Sequence, residues 1–395
     1  MMPRASSRTA RRTRGFTESV IREMTRVAAM HEAINLAQGF PDFPAPEALK
    51  AAACEAVRRD VNQYAVTWGS TRIRRALQEV YQRWYGLDIN PDREVTVTCG
   101  ATEAMAAALL AVVDPGDDVI VIETFYENYG PDAILCGAQP VWVPMERVHR
   151  AGEGLAFVLD LDRLESAFSD RTRAIVLNTP NNPSGHVFGR DELEAVARLC
   201  QRHDAIAFTD EIYEHIRYDG DHVPLASLDG MRDRTVTISG ASKTFSVTGW
   251  RVGWIIAPPD LTAAIRKVHD FLTVGAPAPL QDAVAAGLET LDDDYYTGLA
   301  ADYVERRDVL HGALVDAGFD CSAPMGAYYI LAGFSSVSGE ADDAFARRMA
   351  ADVAVAAVPG SSFFHEPELG RDLVRFAFCK KLDTLAEAGR RLKEL

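Results

Sequence analysis

Seven short runs of apolar and β-branched residues recur between about residues 93 and 259, and helical segments separate them. Several of the runs are apolar at nearly every position instead of every second one. This is typical of parallel strands that crossover helices cover on both faces. The runs lie at 95–98, 119–122, 141–143, 174–177, 206–209, 235–238 and 254–256. They predict an α/β fold around a mostly parallel, seven-stranded sheet.

The alternation of strands and helices stops near residue 291. A chain of 395 residues is also too long for one small core, so a large and a smaller domain are expected. Beyond the change, a long charged helix and two short strands are predicted at 295–317, 328–331 and 374–378. The four expected parts are a flexible basic arm at 1–15, an N-terminal segment of the small domain at 16–48, the large domain at 49–290 and the small α+β domain at 291–395.

The acidic balance of the chain limits its partners. A net charge of -16 and a pI near 5.0 disfavour nucleic acid and anionic membranes, because most of the surface would repel a polyanion. The apolar stretches fall well short of the roughly 20 residues that a membrane helix needs. The Arg-rich start lacks the apolar segment of a secretory signal, and the six cysteines are scattered. We therefore expect a cytoplasmic protein with buried, reduced thiols and neither a disulfide frame nor a zinc site.

The stretch 240–253 carries the strongest chemical signal, with Lys243 followed eight positions later by Arg251. A lysine after a serine is most often a solvated surface amine. This one follows a buried strand and lies among small residues, where desolvation and nearby cations lower an amine pKa enough for Schiff-base chemistry. Arg251 offers a planar fork that suits a phosphate.

This stretch resembles the attachment-site signature of class I and II aminotransferases, the fold-type I enzymes that use pyridoxal 5′-phosphate (PLP). Every constrained position from Gly240 to Gly253 is filled, and the resemblance extends over about residues 34–380. It implies a fold-type I PLP-dependent transferase in which Lys243 holds PLP as a Schiff base and Arg251 binds its phosphate. It also implies ping-pong transfer of an amino group from an L-α-amino acid to a 2-oxo acid.

A second element, Asp210 to Tyr213, lies at the end of an apolar strand. Open α/β sheets bind ligands at this end of their strands, so Asp210 is placed to pair with a protonated pyridine nitrogen and keep the ring an electron sink. For an isolated aspartate, a helix N-cap is the common alternative. In the family that this chain resembles, Tyr213 donates a hydrogen bond to the phenolic oxygen of PLP.

Two turns that follow predicted strands supply further candidates. The Asn-Pro-Ser-Gly turn has an ordinary turn composition, but the resemblance makes Asn182 a donor to the phenolic oxygen and a contact of the substrate carboxylate. The turn at Gly100, Ala101 and Thr102 opens an alanine-rich helix, where backbone NH groups and the Thr102 hydroxyl suit a phosphate. Small residues also suit any tight connection between a strand and a helix.

Other site residues follow from the resemblance. Tyr126 corresponds to the aromatic residue that stacks on the cofactor ring, although an exposed aromatic at a helix start is the alternative. The family often has a serine where this chain has Gly240, which leaves Ser239 or Ser242 as a phosphate ligand. Of these two, Ser242 is the predicted cofactor contact.

The N-terminal blocks 34–44 and 62–64 resemble kynurenine aminotransferase, glutamine transaminase K and the methionine and succinyldiaminopimelate aminotransferases. By that resemblance Gly39 lies beside the substrate carboxylate. Tyr64 reaches the phosphate in the neighbouring subunit, so a homodimer with shared active sites is implied. A Gly/Pro-rich loop and an ordinary packed tyrosine are the structural alternatives.

Arg375 lies between apolar residues of a predicted strand. Burying an arginine without an anion is costly, so it should have a partner. An internal carboxylate is one possible partner. In the family, this arginine forks onto the substrate α-carboxylate.

The sequence does not define the pocket for the substrate side chain, because residues 271–277 lack the aromatic and histidine pair of kynurenine aminotransferases. Trp68 and Phe125 are candidates for pocket lining or for simple packing.

A PLP-dependent β-lyase acting on cysteine S-conjugates is the alternative function. A PLP-binding transcription regulator would need an added DNA-binding domain, for which the short N-terminal arm leaves no room.

Overall fold

The computed structural model describes residues 8–395. The α-helices within this range are α1 Val20–Met30, α2 Glu47–Arg58, α3 Thr71–Tyr85, α4 Ala101–Val112, α5 Tyr129–Cys136, α6 Leu161–Ala167, α7 Arg190–His203, α8 Ala241–Thr244, α9 Pro259–Leu272, α10 Ala278–Thr290, α11 Asp293–Asp316, α12 Asp342–Asp352 and α13 Leu382–Leu392. The strands within it are β1 Ile34–Asn35, β2 Val95–Thr98, β3 Asp118–Glu123, β4 Gln139–Pro144, β5 Glu146–Arg150, β6 Gly154–Val158, β7 Thr172–Asn178, β8 Ile206–Asp210, β9 Thr235–Gly240, β10 Gly253–Ile256, β11 Tyr329–Gly333, β12 Val355–Ala356, β13 Val358–Pro359 and β14 Leu373–Ala377.

The predicted seven-stranded sheet is confirmed, and each predicted run lies inside an observed strand. The strand order is β2-β10-β9-β8-β7-β3-β4, and only β10 runs antiparallel to its neighbours among these described strands. Every residue of β3, β8 and β9 is buried, because helices cover both faces of the sheet. The edge strand β4 mixes buried and exposed positions instead.

The topology of this sheet gathers the functional loops at one edge. The parallel strands β7, β8 and β9 end side by side, with Asn178 opposite Asp210 in the ladder. The antiparallel β10 starts at that same edge, where Gly253 pairs with both Gly240 and Thr98. The segments that follow or precede these strand ends therefore converge, as expected where open α/β sheets bind ligands.

A second, antiparallel sheet of order β11-β14-β13 is built from the C-terminal part of the chain. Arg375 lies in its central strand, paired with Leu331 on one side and Val358 on the other. The N-terminal segment joins this part, because β1 pairs with β12 in parallel. The long helix α11 packs against α13. It begins at Asp293, two residues before the start that the sequence pattern predicts.

The basic N-terminal arm and the cysteines differ in part from expectation. Residues 1–7 of the arm lie outside the described range, and residues 11–14 form a 3-10 helix beside α5. All six cysteines are free, but the prediction of buried thiols is wrong for Cys54, which is exposed, and Cys99 is only partly buried. No helix of the described residues is long and apolar enough to cross a bilayer.

Candidate active site

A cavity of about 710 Å³ opens at the edge where the strands converge. Most of the residues predicted from the sequence line it: Gly39, Ala101, Thr102, Tyr126, Asn182, Asp210, Tyr213, Ser242, Lys243, Arg251 and Arg375. Gly100 lies just behind this lining, in contact with Arg251. Tyr64 is outside the cavity and 89% exposed. Motifs that are up to 336 positions apart, from Gly39 to Arg375, thus share one space.

Lys243 projects into the cavity from the short helix α8. Its Nζ donates a hydrogen bond to the carbonyl oxygen of Gly39 at 3.2 Å and lies 5.8 Å and 5.6 Å from the ring centres of Tyr213 and Tyr328. Burial lowers the pKa of this amine to about 8. A neutral amine is therefore far more accessible at Lys243 than at a solvated lysine, which is what a nucleophile or a base requires.

Asp210 presents a buried carboxylate at the end of β8. Its Oδ2 accepts a hydrogen bond from the Tyr129 hydroxyl at 2.7 Å, and its Oδ1 accepts one from the Ile212 amide at 3.3 Å. Burial raises its pKa to about 6, against the lowering effect of these two hydrogen bonds and of Lys243. The helix N-cap alternative is wrong, because a turn and not a helix follows at 211–216. No cation of the described residues lies within 4 Å of this carboxylate, so it is available to a cationic ligand group.

Arg375 is fully buried in the middle of the small sheet. Its Nη1 donates to Asn182 Oδ1 at 2.8 Å, its Nη2 donates to the carbonyl oxygen of Ala37, and its guanidinium lies over the rings of Tyr329 and Phe363 at 4.3 Å and 4.9 Å. No carboxylate in the described part of the chain pairs with it, and its Nε has no partner. The internal salt-bridge alternative is therefore wrong. A buried guanidinium with only neutral partners is a site that needs an anion.

The start of α4 and Arg251 form a cradle for a second anion. A Cβ atom on Gly100 would lie 2.5 Å from Arg251 Nη2, so only glycine leaves room for the guanidinium against this turn. Gly100 also has φ +84°, which favours glycine. No side chain of the described residues caps this end of the 12-residue helix, which leaves its first NH groups available to a ligand. Free amides at a helix N-terminus beside an arginine suit a phosphate.

The two candidate phosphate serines separate in the structure. Ser242 is buried and lines the cavity. Ser239 instead donates to Glu214 Oε1 at 2.6 Å and is not part of the lining.

Glu214, which accepts the Ser239 hydroxyl, belongs to a buried cluster with Glu211 and His222. The potential ligand atoms of these three residues lie within 4.8 Å of one another. Sequence inspection missed this cluster because no fixed ligand spacing marks it. Both carboxylate oxygens of Glu214 already accept hydroxyl groups, the second from Tyr85 at 2.7 Å. The cluster therefore ties the turn after β8 to α3 and β9.

Several residues that shape the site escaped prediction from the sequence. Tyr129 holds Asp210 across 81 positions, and Tyr329 lies 3.1 Å from the Tyr213 hydroxyl while its ring covers Arg375. Asn178 accepts the Asn182 amide at 2.7 Å and so fixes the turn that carries Asn182. Of these three residues, only Asn178 has a sequence signal for a site role, because it is a polar residue at the end of a predicted strand. The two tyrosines are in ordinary helix and strand contexts.

The family model described as aminotransferase class I and II matches residues 31–392. The chain belongs to the class I and II aminotransferases. It is 40% identical over 396 residues to the probable N-succinyldiaminopimelate aminotransferase DapC of Mycobacterium tuberculosis, covering 98% of both chains. It is 36% identical to human kynurenine–oxoglutarate transaminase 1, covering 98% of this chain and 97% of the relative.

Solved structures agree with this assignment. The N-succinyldiaminopimelate aminotransferase of Mycobacterium tuberculosis superposes with a TM-score of 0.93 at 40% identity, over 98% of this chain and 99% of the other. The methionine aminotransferase YbdL of Escherichia coli gives 0.92 at 34% identity, over 98% and 99%. This class I and II aminotransferase transfers amino groups and uses PLP, on a fold-type I scaffold. The comparisons give no preference to the β-lyase alternative.

The Tyr129 hydroxyl should tune the aminotransferase through Asp210. Its hydrogen bond stabilises the charged carboxylate, so Tyr129→Phe should raise the pKa of Asp210. As the pH falls, Asp210 of the variant is then protonated sooner, and activity that needs its carboxylate is lost at a higher pH than in the natural enzyme. We expect the acid limb of the kcat/KM profile to move up by about one unit, which equals about 1.4 kcal/mol, near the lower end for a charged hydrogen bond. An acid limb that stays in place or moves down would contradict this role.

Proposed function

We propose that this aminotransferase acts on L-α-amino acids, whose α-carboxylate pairs with Arg375 and whose α-carbon lies within reach of Lys243. The observation that carries the proposal is the buried guanidinium of Arg375, which has only neutral partners and shares its cavity with a lysine of lowered pKa. A bidentate carboxylate would supply the missing anion. The same site would accept donor and acceptor in turn, which gives ping-pong kinetics.

The residues around the cavity fit PLP group by group. Arg251 and the amides at the start of α4 offer a phosphate cradle, and Asp210 offers a buried anion for the ring nitrogen. We assign Ser242 and Thr102 to the phosphate as well. Tyr213 and Asn182 are assigned to the phenolic oxygen, and Tyr126 to the face of the ring. When bound, PLP supplies an electron sink for the electron pair left by the departing α-proton.

Lys243 has two roles in this proposal. It would hold the cofactor covalently in the resting enzyme, and its free amine would remove the α-proton of the bound substrate. A pKa near 8 suits both roles, because a base works best when its pKa lies near the working pH. Arg375 and Asn182, joined at 2.8 Å, hold the substrate so that the α-proton meets the lysine Nζ.

The relatives are named for N-succinyldiaminopimelate, kynurenine and methionine, and we propose a substrate within that broad range. The test mixes the purified PLP form with single amino acids and follows the loss of the cofactor's visible absorbance. Formation of pyridoxamine phosphate with any of them is the expected result. If the absorbance persists with all of them, the proposal is wrong, and pyruvate released from a cysteine S-conjugate without a 2-oxo acid would favour β-elimination.

We further propose a cytoplasmic homodimer in which Tyr64 of one chain completes the site of the other. Tyr64 and Phe271 are 89% and 91% exposed, although both are large and apolar. The loop that carries Tyr64 adjoins the end of α9 that carries Phe271, since His269 Nε2 in α9 lies 2.8 Å from the carbonyl oxygen of Thr67. Such a patch of exposed aromatic residues is typical of an interface. The free cysteines favour a reducing compartment.

The Tyr64 hydroxyl is then expected to contribute to cofactor affinity. In Tyr64→Phe, the dissociation constant of PLP should rise about tenfold, since a hydrogen bond to a charged group contributes about 1.5–3 kcal/mol. Sedimentation should show two chains in both proteins. A single chain in solution, or an unchanged affinity in the variant, would refute the shared site.

A further inference from the structure

One cation of the cavity wall has no role in the chemistry proposed above. The cationic lysine and arginine side chains among the described lining residues are Arg22, Lys243, Arg251 and Arg375. The last three are assigned to the cofactor and the α-carboxylate. Arg22 reaches the cavity from the first turn of α1.

No carboxylate of the described residues forms an ion pair with Arg22. Three acidic residues line the cavity, and each is engaged elsewhere. Glu18 pairs with Arg26 at 2.9 Å. Glu127 accepts the Ser19 hydroxyl at 2.5 Å and the Ile21 amide at 3.0 Å. Asp210 is bound by the Tyr129 hydroxyl. Arg22 is an exposed residue at the mouth of the cavity, and its guanidinium has no ion-pair partner among the described residues.

Helix stability does not account for this arginine. Ser19 is the N-cap of α1, and its hydroxyl accepts the Arg22 amide at 3.3 Å, which places Arg22 at the third helical position. Positive charge in the first turn opposes the helix dipole, and this position favours Glu or Gln. Glu127 does complement the dipole, and it fixes the first turn of α1 against the loop after β3.

Arg22 lines the same cavity as Lys243 and Arg375, near Tyr126. Burial raises the pKa of Tyr126; Glu127 and Asp210 raise it further, while Arg22 and Arg375 lower it. Both arginines therefore lie within electrostatic reach of the same phenol. An aromatic wall adjoins this space, with Trp142 stacked on His365 at 4.8 Å and next to Phe125 at 5.1 Å.

We propose that Arg22 selects substrates with a second, distal carboxylate on the side chain, for both the amino donor and the 2-oxo acid acceptor. This inference rests on the proposed function, because it takes Arg375 as the α-carboxylate site. A free guanidinium binds a carboxylate through its planar fork, and the aromatic wall accommodates the carbon chain between the two carboxylates.

The test compares Arg22→Gln with the natural enzyme on pairs of substrates that differ only in the distal group. Glutamate against glutamine is one pair, and 2-oxoglutarate against its neutral 5-amide is another. The ratio of the two kcat/KM values, charged over neutral, should fall about tenfold in the variant, as expected for loss of a charged hydrogen bond. Arg14→Gln is the matched control, because Arg14 is exposed like Arg22 but does not line the cavity. Its ratio should stay at the natural value.

Binding without turnover gives a second readout. Glutarate should bind the holoenzyme more tightly than valerate by calorimetry, and Arg22→Gln should remove that preference. If the ratio and the preference survive in Arg22→Gln, or fall equally in Arg14→Gln, the inference is wrong while the amino-acid half-reaction still stands. If no amino acid converts the enzyme, the proposed function fails and this inference fails with it.

Discussion

Lys243→Ala is expected to abolish transamination, with kcat/KM reduced on the order of 10⁴-fold, the upper range for loss of a positioned general base. On the proposed function, the variant loses both the covalent attachment point and the base. Its neighbours should keep their places, because the only hydrogen bond of Nζ within the described residues goes to the Gly39 carbonyl oxygen. PLP should therefore still bind, held by its phosphate at Arg251.

The measurement combines single-turnover kinetics with spectroscopy of the bound cofactor. Lys243→Arg is the matched control, since it keeps a cation in the cavity but has a pKa far too high for a base. It should be as inactive as the alanine variant. Normal turnover in either variant, with the cofactor still bound covalently, would show that another residue is the attachment point.

Arg375→Met is expected to raise the KM for the amino acid by about 10²- to 10⁴-fold. On the proposed function, two charged hydrogen bonds to the α-carboxylate are lost, each contributing about 1.5–3 kcal/mol. The same change should leave the thermal stability of the ligand-free protein equal or higher. Arg375 is fully buried without an anion, and replacing such a charge with an apolar side chain is often neutral or stabilising.

This pairing of opposite effects separates a binding role from a structural one. If Arg375 served mainly to hold the small sheet together, the methionine variant would unfold at a clearly lower temperature and KM would change little. Arg375→Lys is the control for charge alone. It keeps the cation but loses the fork, so its KM should lie between those of the natural enzyme and Arg375→Met.

Local patterns in the sequence predicted what depends on local chemistry. The apolar runs predicted all seven strands of the large sheet, because burial on both faces leaves a signal that needs no tertiary context. Asp210 at the end of β8, Asn182 in the turn after β7 and Lys243 after β9 lie in the cavity as expected. A shared sheet edge brings such residues together whatever the details of packing.

The supporting contacts could not be predicted, because they depend on how distant elements pack. Nothing in the spacing links Tyr129 to Asp210 or Tyr329 to Arg375. Trp68 was a candidate for the pocket, but it packs under Arg266 at 4.8 Å and is not among the lining residues, whereas Phe125 does line the cavity. Both tryptophan and phenylalanine satisfy the same apolar pattern, so only the fold separates them.

Glu127 anchors the first turn of α1 at the cavity, so the amino-terminal segment belongs to the site. Residues 15–22 contribute a continuous stretch of the cavity wall, yet the family match begins only at residue 31. The family match thus covers the residues assigned to cofactor and catalysis, whereas Arg22 lies ahead of it. Two chains could share every diagnostic motif and still prefer different substrates. With Arg22 acting as proposed, a truncation that removes residues 15–22 would change which substrates the enzyme prefers.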